Sequence, residues 1–302
     1  MLPPWLKAWW DIFGEEWTQS ILTVKYKDEL IGVAPLMIRG EKARVIGSSN
    51  VCDYSDFIAA PSRETEVLET VLTYLGGEGI STLDLGPLRE DSSIFISLPR
   101  AIHKLGLEVT TDLEDVSVEF DLPPTWDRYM ESLSGKQRHE IRRKIRRLNG
   151  TGRVSYRIIN DERAALKEID TFLELFVSNR SDKASFMTDQ MISYFRSLTE
   201  AMAGHNILKL FFMDLDSSPV ASTMCFDYKS TFYLYNNGYD AAYHSLSVSL
   251  LTKVFTIRDS INNKMGRYNF LKGDEPYKFH LGGESVNLYR CVVTIPQHGT
   301  NL

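Results

Sequence analysis

ILKLFFMDL (residues 207–215), VASTMCFDY (220–228) and TFYLYNNGY (231–239) are three apolar, aromatic and β-branched runs in immediate succession. Only the polar turns Asp216-Ser217-Ser218-Pro219 and Lys229-Ser230 part them. Each run reads as a strand, and connections this short fix antiparallel neighbours. A helical period follows over about 246–262, and then strand RYNFL at 267–271. A strand–helix–strand segment demands a crossover, so the sheet is mixed.

Outward from this stretch the same rhythm appears twice. Upstream lie strand VSYRII and helices near 162–180 and 188–203; downstream, strand NLYRCVVTI closes the chain. The first half opens with a helix over about 3–13. Strand SILTVKYK, turn DE, strand LIGVAPLMI and strand ARVIG come next. A helix over about 63–76, strand TLDLG, a helix over about 92–105 and strands LEVTT and VSVEF complete it. The hairpins echo each other, Val33-Ala34-Pro35-Leu36-Met37 against Val220-Ala221-Ser222-Thr223-Met224. The pattern predicts two mixed α/β domains, 1–122 and 123–302. Their linker is DLPPTWDRY, where two prolines stop a strand and Thr125 can cap the next helix.

The 302 residues are 43% hydrophobic and 25% charged, the balance of a globular protein. No apolar run approaches the roughly 18 residues that span a bilayer, so membrane insertion is not expected. The start, MLPPWLKAWWDIFG, reads as an amphipathic helix opening at a proline and not as a signal peptide. Cys52, Cys225 and Cys291 are odd in number and widely spaced, which predicts structural thiols in a reducing, cytoplasmic compartment. The net charge of −6 is unevenly spread: residues 1–125 hold 10 basic against 21 acidic side chains, and the remainder 24 against 19.

Much of the basic excess lies in SGKQRHEIRRKIRRLNG, residues 134–150. Ser134 with Gln137 three residues on forms a capping-box pattern, and Asn149-Gly150 suits the end of the helix. Within 136–147 stand seven basic residues and one acid, Glu140. Arg142 and Arg143 head two ridges with Arg146 and Arg147, a spacing suited to phosphates. A solvated helix face, or one paired with the acidic first half, explains the run equally well.

Strand TFYLYNNGY ends in Asn237, Gly238 and Tyr239 and leads through His244, Ser245, Ser247 and Ser249 into a helix. Exposed N–H groups there favour an anion such as a pyrophosphate, although plain capping by one serine is the simpler explanation. Beyond the next strand comes the charged turn KGDEPYK, with Asp274, Glu275, Tyr277 and Lys278. Paired carboxylates beside lysines suit general acid/base work, and a turn that caps a short helix at Asp274 is the structural alternative. The six histidines show no metal-ligand spacing, and no GxSxG, HExxH or P-loop motif occurs. No metal is expected.

Several stretches together carry a family resemblance: WLKAWWDIFG, LIGVAPLM, CDYSDF, LSGKQRHEIRRKIRRL, NRSDKASF and above all YNFLKGDEPYK. They resemble the CelD-type, cellulose-biosynthesis-associated acetyltransferases of the GNAT superfamily. The doubled layout is similar to the Fem-type aminoacyltransferases, which pair two GNAT-like domains. The resemblance implies two tandem GNAT-like domains with mixed sheets, the first non-catalytic. It implies N-acyl transfer from acetyl-CoA or another acyl-CoA to an amine of a small molecule or amino sugar. Glu275 would be the general base and Asp274 its alternate, with Lys278 holding the carboxylates or the acyl-donor phosphate and Tyr277 walling the pocket or protonating the leaving thiolate. Asn237, Gly238, Tyr239, His244, Ser245, Ser247 and Ser249 would line the donor site. Tyr54 and Asp56 of CDYSDF, with Arg142, Arg143, Arg180 and Lys183, would meet the acceptor or an anionic carrier. The glycine-rich GNAT phosphate loop is absent, and Ser247-Val248-Ser249 stands where the family shows Ser-Pro-Gly. An aminoacyl-tRNA donor, and a scaffold role in exopolysaccharide synthesis, are the two competing expectations.

Overall fold

The computed structural model describes residues 2–178 and 181–296. These gather into two compact units, 2–116 with 286–296, and 117–285.

In the first unit, α1 (Pro3–Phe13) starts at a proline and buries Trp5, Ala8 and Trp9. Strands β1 (Thr18–Tyr26) and β2 (Glu29–Arg39) form a hairpin. Its turn residues Lys27 and Asp28 have φ of 48° and 66°, the type I′ geometry that matches strand twist. Strands β3 (Lys42–Val45) and β4 (Ile58–Ala59) both pair with β2. Helix α2 (Glu64–Gly77) buries Val67, Leu68, Val71, Leu72 and Leu75, an i, i+4 stripe facing the sheet. It leads to β5 (Thr82–Arg89), parallel to β3. Helix α3 (Ser93–Leu105) is capped by Ser92, whose Oγ accepts from the Phe95 N–H at 3.2 Å.

Strand β6 (Glu108–Asp121) runs unbroken for 14 residues. The sequence suggests two strands here, because Asp112, Glu114 and Asp115 look like a polar break. These residues instead stay extended within one strand, which passes from the first unit into the second after Val116. The last strand, β12 (Glu284–Thr294), also differs from the domain boundaries read from sequence. From residue 286 on it belongs to the first unit, paired antiparallel with β5 from Leu288↔Arg89 to Thr294↔Thr82.

In the second unit, Thr125 caps α4 (Trp126–Ser132), and Ser134 with Gln137 forms the full capping box of α5 (Gly135–Asn149). Gly150 ends α5 in a right-handed rather than left-handed conformation. Strand β7 (Val154–Ile159) and helices α6 (Glu162–Val177), α7 (Ser181–Phe186) and α8 (Asp189–Gly204) follow. Strands β8 (Leu208–Leu215), β9 (Ser218–Tyr228) and β10 (Thr231–Tyr239) form the expected antiparallel meander. Its turns, Asp216-Ser217 and Lys229-Ser230, again have positive φ at both central residues. A 3-10 turn (Ala241–Leu246) enters α9 (Val248–Asn262), which returns the chain to β11 (Arg267–Lys272), parallel to β10. Helix α10 (Pro276–His280) is a single turn before β12. The order across this unit is β6-β11-β10-β9-β8-β7. Leu148, Met213, Leu215, Val220, Ala221, Val248 and Leu251 form a core that fixes α5 and α9 on β8 and β9.

Candidate active site

The parallel pair β10–β11 is short. It holds only from Thr231↔Arg267 to Tyr233↔Asn269, while β10 runs on to Tyr239. The cause lies in β11. Leu271 adopts φ +61°, and its N–H is taken at 2.7 Å by the Asn269 side chain. Asn269, itself buried, donates through Nδ2 to Glu119, whose other oxygen accepts from Arg267 at 2.9 Å. This buried polar network replaces ladder bonds with side-chain bonds and lets the two strands part. The sequence reading missed all three residues; Asn269 in an apolar strand core was the available signal.

The charged turn leaves the end of β11. Lys278 is 2% exposed. Its Nζ donates to the carbonyls of Leu271, Lys272 and Gly273 at 3.1, 2.6 and 3.0 Å. It also lies 2.9 Å from Glu275 Oε2. Lys278 is therefore the anchor of the turn, tying its backbone to the one carboxylate that faces it. Gly273 has φ +106°, and a Cβ there would lie 2.7 Å from Glu275 Oε2, so glycine admits the carboxylate. Glu275 itself is half exposed, and Asp274 is exposed beside it. The Tyr277 ring meets Phe270 edge-on, and burial first, then the Glu275 charge, push its phenol well above its ordinary pKa. It stays protonated at any physiological pH.

Over the Tyr277 ring, 4.7 Å from its centroid, sits the ammonium of Lys253. This residue was not singled out from sequence, though a lysine inside VSLLTKVFTI is a visible anomaly. It is 3% exposed, and Nζ donates to Ser249 Oγ at 2.9 Å and Ser249 O at 3.2 Å. Burial, helped by the Lys183 charge, lowers its pKa to about 7. Between about 7 and lysine's ordinary value the unfolded chain carries a proton that the folded chain lacks, so stability rises with pH across that window. Lys253→Met is expected to flatten that rise, read as urea unfolding at about pH 6, 8 and 9.5. Parallel pH dependence of variant and wild type would show that Lys253 does not titrate this way.

The donor-side candidates gather around the end of β10 and the start of α9. Asn237 donates through Nδ2 to Ser249 Oγ at 3.3 Å, and its carbonyl accepts from Lys183 Nζ at 2.6 Å. Tyr239 shares a 3.2 Å hydrogen bond with His244 Nδ1, while Ser245 is exposed. Gly238 has a packing role: a Cβ there would fall 2.3 Å from the α6 backbone at Leu175 and Phe176. Ser247, at the N-cap position of α9, has φ +59° and makes no side-chain capping bond; its Oγ instead accepts from Lys144 Nζ at 2.9 Å and Arg147 Nη2 at 3.1 Å. Two cations of α5 thus converge on a helix N-terminus, an anion-attracting arrangement without a glycine loop.

The other basic-helix candidates divide. Arg143 is engaged by Glu140 on the same helix through two hydrogen bonds of 3.0 and 2.8 Å. Arg142 instead borders an open groove of about 620 Å³ with Arg138, His139 and Arg146. Tyr54 and Asp56 lie in the first unit, with the Arg89 guanidinium 5.3 Å from the Tyr54 ring. Arg180 lies outside the described residues. All three cysteines are buried free thiols, and burial pushes Cys52 up to about 11 and Cys225 up to about 12, which disfavours the thiolate at both. Among the described residues no cluster could hold a metal ion, and no helix is long and apolar enough to cross a membrane.

Residues 135–279 match the family model described as an acetyltransferase (GNAT) domain. No curated protein matches the chain at a significant level. Among solved structures, the crystal structure of FemX aligns with a TM-score of 0.65 at 11% identity, over 98% of this chain and 92% of that one. The tandem GNAT protein from the clavulanic acid biosynthesis pathway aligns with a TM-score of 0.50 at 11% identity, over 93% and 84%. The fold is a tandem GNAT fold. The C-terminal domain of a putative lysylphosphatidylglycerol synthetase from Agrobacterium fabrum shares it, with a TM-score of 0.61 at 9% identity over 98% and 92%. Both the parting of β10 from β11 and the charged turn fall within the region matching the GNAT domain.

Proposed function

We propose that the second unit is an N-acyltransferase of the CelD type, moving an acyl group from an acyl-CoA thioester to a primary amine of a small molecule or amino sugar. The observation that carries this reading is the parting of β10 and β11 beside the start of α9, where Lys144 and Arg147 meet at Ser247. Backbone groups of β10 beyond Tyr233 are released from β11 there, so the amides of a pantetheine arm fit as an added strand edge. Lys144, Arg147 and the α9 N-terminus suit the pyrophosphate.

The donor supplies an activated acyl carbonyl. The residues of the chain do the rest. An amine must lose its proton to attack, and Glu275 is the half-exposed carboxylate held in place to take it. Lys278 fixes that carboxylate and the turn beneath it. Tyr277, protonated throughout, can donate a hydrogen bond to the departing thiolate, while the proton that Glu275 took from the amine completes the thiol. Lys183 holds the Asn237 carbonyl and so the end of β10.

Calorimetric titration with acetyl-CoA tests the donor site. The double change Lys144→Ala, Arg147→Ala is expected to weaken binding by about tenfold or more, since it removes two charged phosphate contacts. Unchanged affinity would move the donor elsewhere.

A second reading keeps the fold and changes the donor to aminoacyl-tRNA. It draws on Arg138, Arg142 and Arg146 along the open groove of α5. It also draws on the similarity to a putative synthetase whose name specifies a lysyl product. Failure to bind acetyl-CoA, with tRNA binding that falls steeply with salt, would favour it.

A further inference from the structure

The first unit, in which the acyl-transfer reading places no catalytic group, contains an apolar cavity of about 480 Å³. Leu6 and Trp10 of α1, Ile21 of β1, Val33 of β2 and Ile58 of β4 contribute apolar wall. Two of these are unusually open for their type: Ile21 is 54% and Ile58 59% exposed. Exposed aliphatic side chains gathered around one cavity mark a surface that gains from being covered.

Two carboxylates break the apolar lining: Asp11, which pairs with Lys7, and Asp56. Asp56 accepts from Ser92 Oγ through Oδ2 at 2.7 Å and from the Phe57 N–H through Oδ1 at 2.8 Å. These bonds fix both oxygens but supply no positive charge, and no ion pair to Asp56 is found among the described residues. Two basic side chains of the first unit are engaged elsewhere. Lys7, also on the cavity wall, pairs with Asp11, and Arg89 pairs with Asp91. Burial raises the Asp56 pKa, against the lowering pull of its two hydrogen bonds. A carboxylate oriented by two donors at an apolar wall is complementary to a cation carried on an apolar body.

We infer that the first unit has a ligand site of its own, which takes a primary amine on a hydrophobic chain or ring, its ammonium paired with Asp56 and its apolar part against Trp10, Val33 and Ile58. The cavity holds a chain of several carbons, whereas a small polar amine would leave the apolar wall uncovered. An anion is disfavoured by Asp56 and by the acidic surroundings. The inference stands on the first unit and does not rest on the acyl-transfer reading.

The test is calorimetric titration of the full chain with n-octylamine, octanoate and n-octanol, none of which is an acyl donor. Saturable one-site binding of octylamine is expected, with octanoate at least about tenfold weaker. Asp56→Asn should weaken octylamine by about tenfold or more while leaving octanol unchanged. Because Asp56 is hydrogen-bonded, a rim variant is paired with it: Ile58→Trp, at an exposed position, should weaken amine and alcohol alike. No saturable binding of octylamine would overturn the inference, as would octanoate binding equally well. Octylamine affinity untouched by Ile58→Trp would place the amine outside this cavity and overturn it too. Acetyl-CoA binding at the second unit, measured in the same variants, should not change; its failure would bear on the donor site alone.

Discussion

Glu275→Gln is expected to lower turnover by about 10²–10⁴-fold, the range for loss of a positioned general base, with little change in thermal unfolding. Glutamine keeps the shape of the side chain and an oxygen that can accept from Lys278, so the turn survives. What disappears is the capacity to take a proton from the attacking amine. The neighbouring carboxylate supplies the control. Asp274 is exposed, whereas Glu275 lies 2.9 Å from a buried ammonium and over Gly273. Asp274→Asn should therefore cost only a small factor. If the two results were exchanged, Asp274 would be the base and Glu275 a turn residue. If neither change lowered kcat, the proton would leave by another route, and the neutral fraction of Lys253 would be the next group to test. Measuring kcat and KM separately matters here, because a base acts on the chemical step and not on the binding of amine or donor.

How far the sequence led follows from how local each determinant is. The meander of β8, β9 and β10 was legible because its turns are two-residue connections between long β-forming runs. The Thr125 cap and the Ser134–Gln137 box were legible for the same reason: donor and acceptor lie within three residues. Arg143 shows a local signal left unused. Glu140 stands three residues before it, and the pair closes on the helix surface, leaving Arg142 and not Arg143 on the groove. The rest depended on distant partners. Asp112, Glu114 and Asp115 look like a turn, yet they stay extended within β6. Gly238 looks like a loop residue near a ligand, yet it admits the backbone of α6, far away in sequence. Lys253 is an anomaly inside VSLLTKVFTI, but only its burial against Tyr277 shows what it does. The parting of the strands is hidden in the sequence because Asn269 and Glu119 act through burial and through a pairing with Arg267 that is distant in sequence, whereas Lys278 was legible beside the carboxylates.

Lys278→Met carries the largest expected effect on stability, a loss of about 2–3 kcal/mol, the scale for leaving buried carbonyls without their donor. Methionine fills the same volume but donates nothing. The carbonyls of Leu271, Lys272 and Gly273 would then lose a shared donor, and Glu275 would lose its counter-charge. Leu271 is already held at φ +61°, a conformation an isolated strand would not keep, so its neighbours depend on that ammonium. Lys278→Arg should rescue poorly, since a planar guanidinium cannot direct its donors at three carbonyls converging on one point. Urea unfolding gives the stability. Activity measured at low temperature, where the variant is still folded, separates anchoring from catalysis: an anchor's loss leaves Glu275 present but unplaced, so kcat falls although the base is intact. Stability within about 1 kcal/mol of wild type would mean that the turn holds itself and that those carbonyls find water instead. Lys278 would then be available to act directly on the reacting groups. The order of dependence, in which the lysine places the carboxylate and the carboxylate takes the proton, would be reversed.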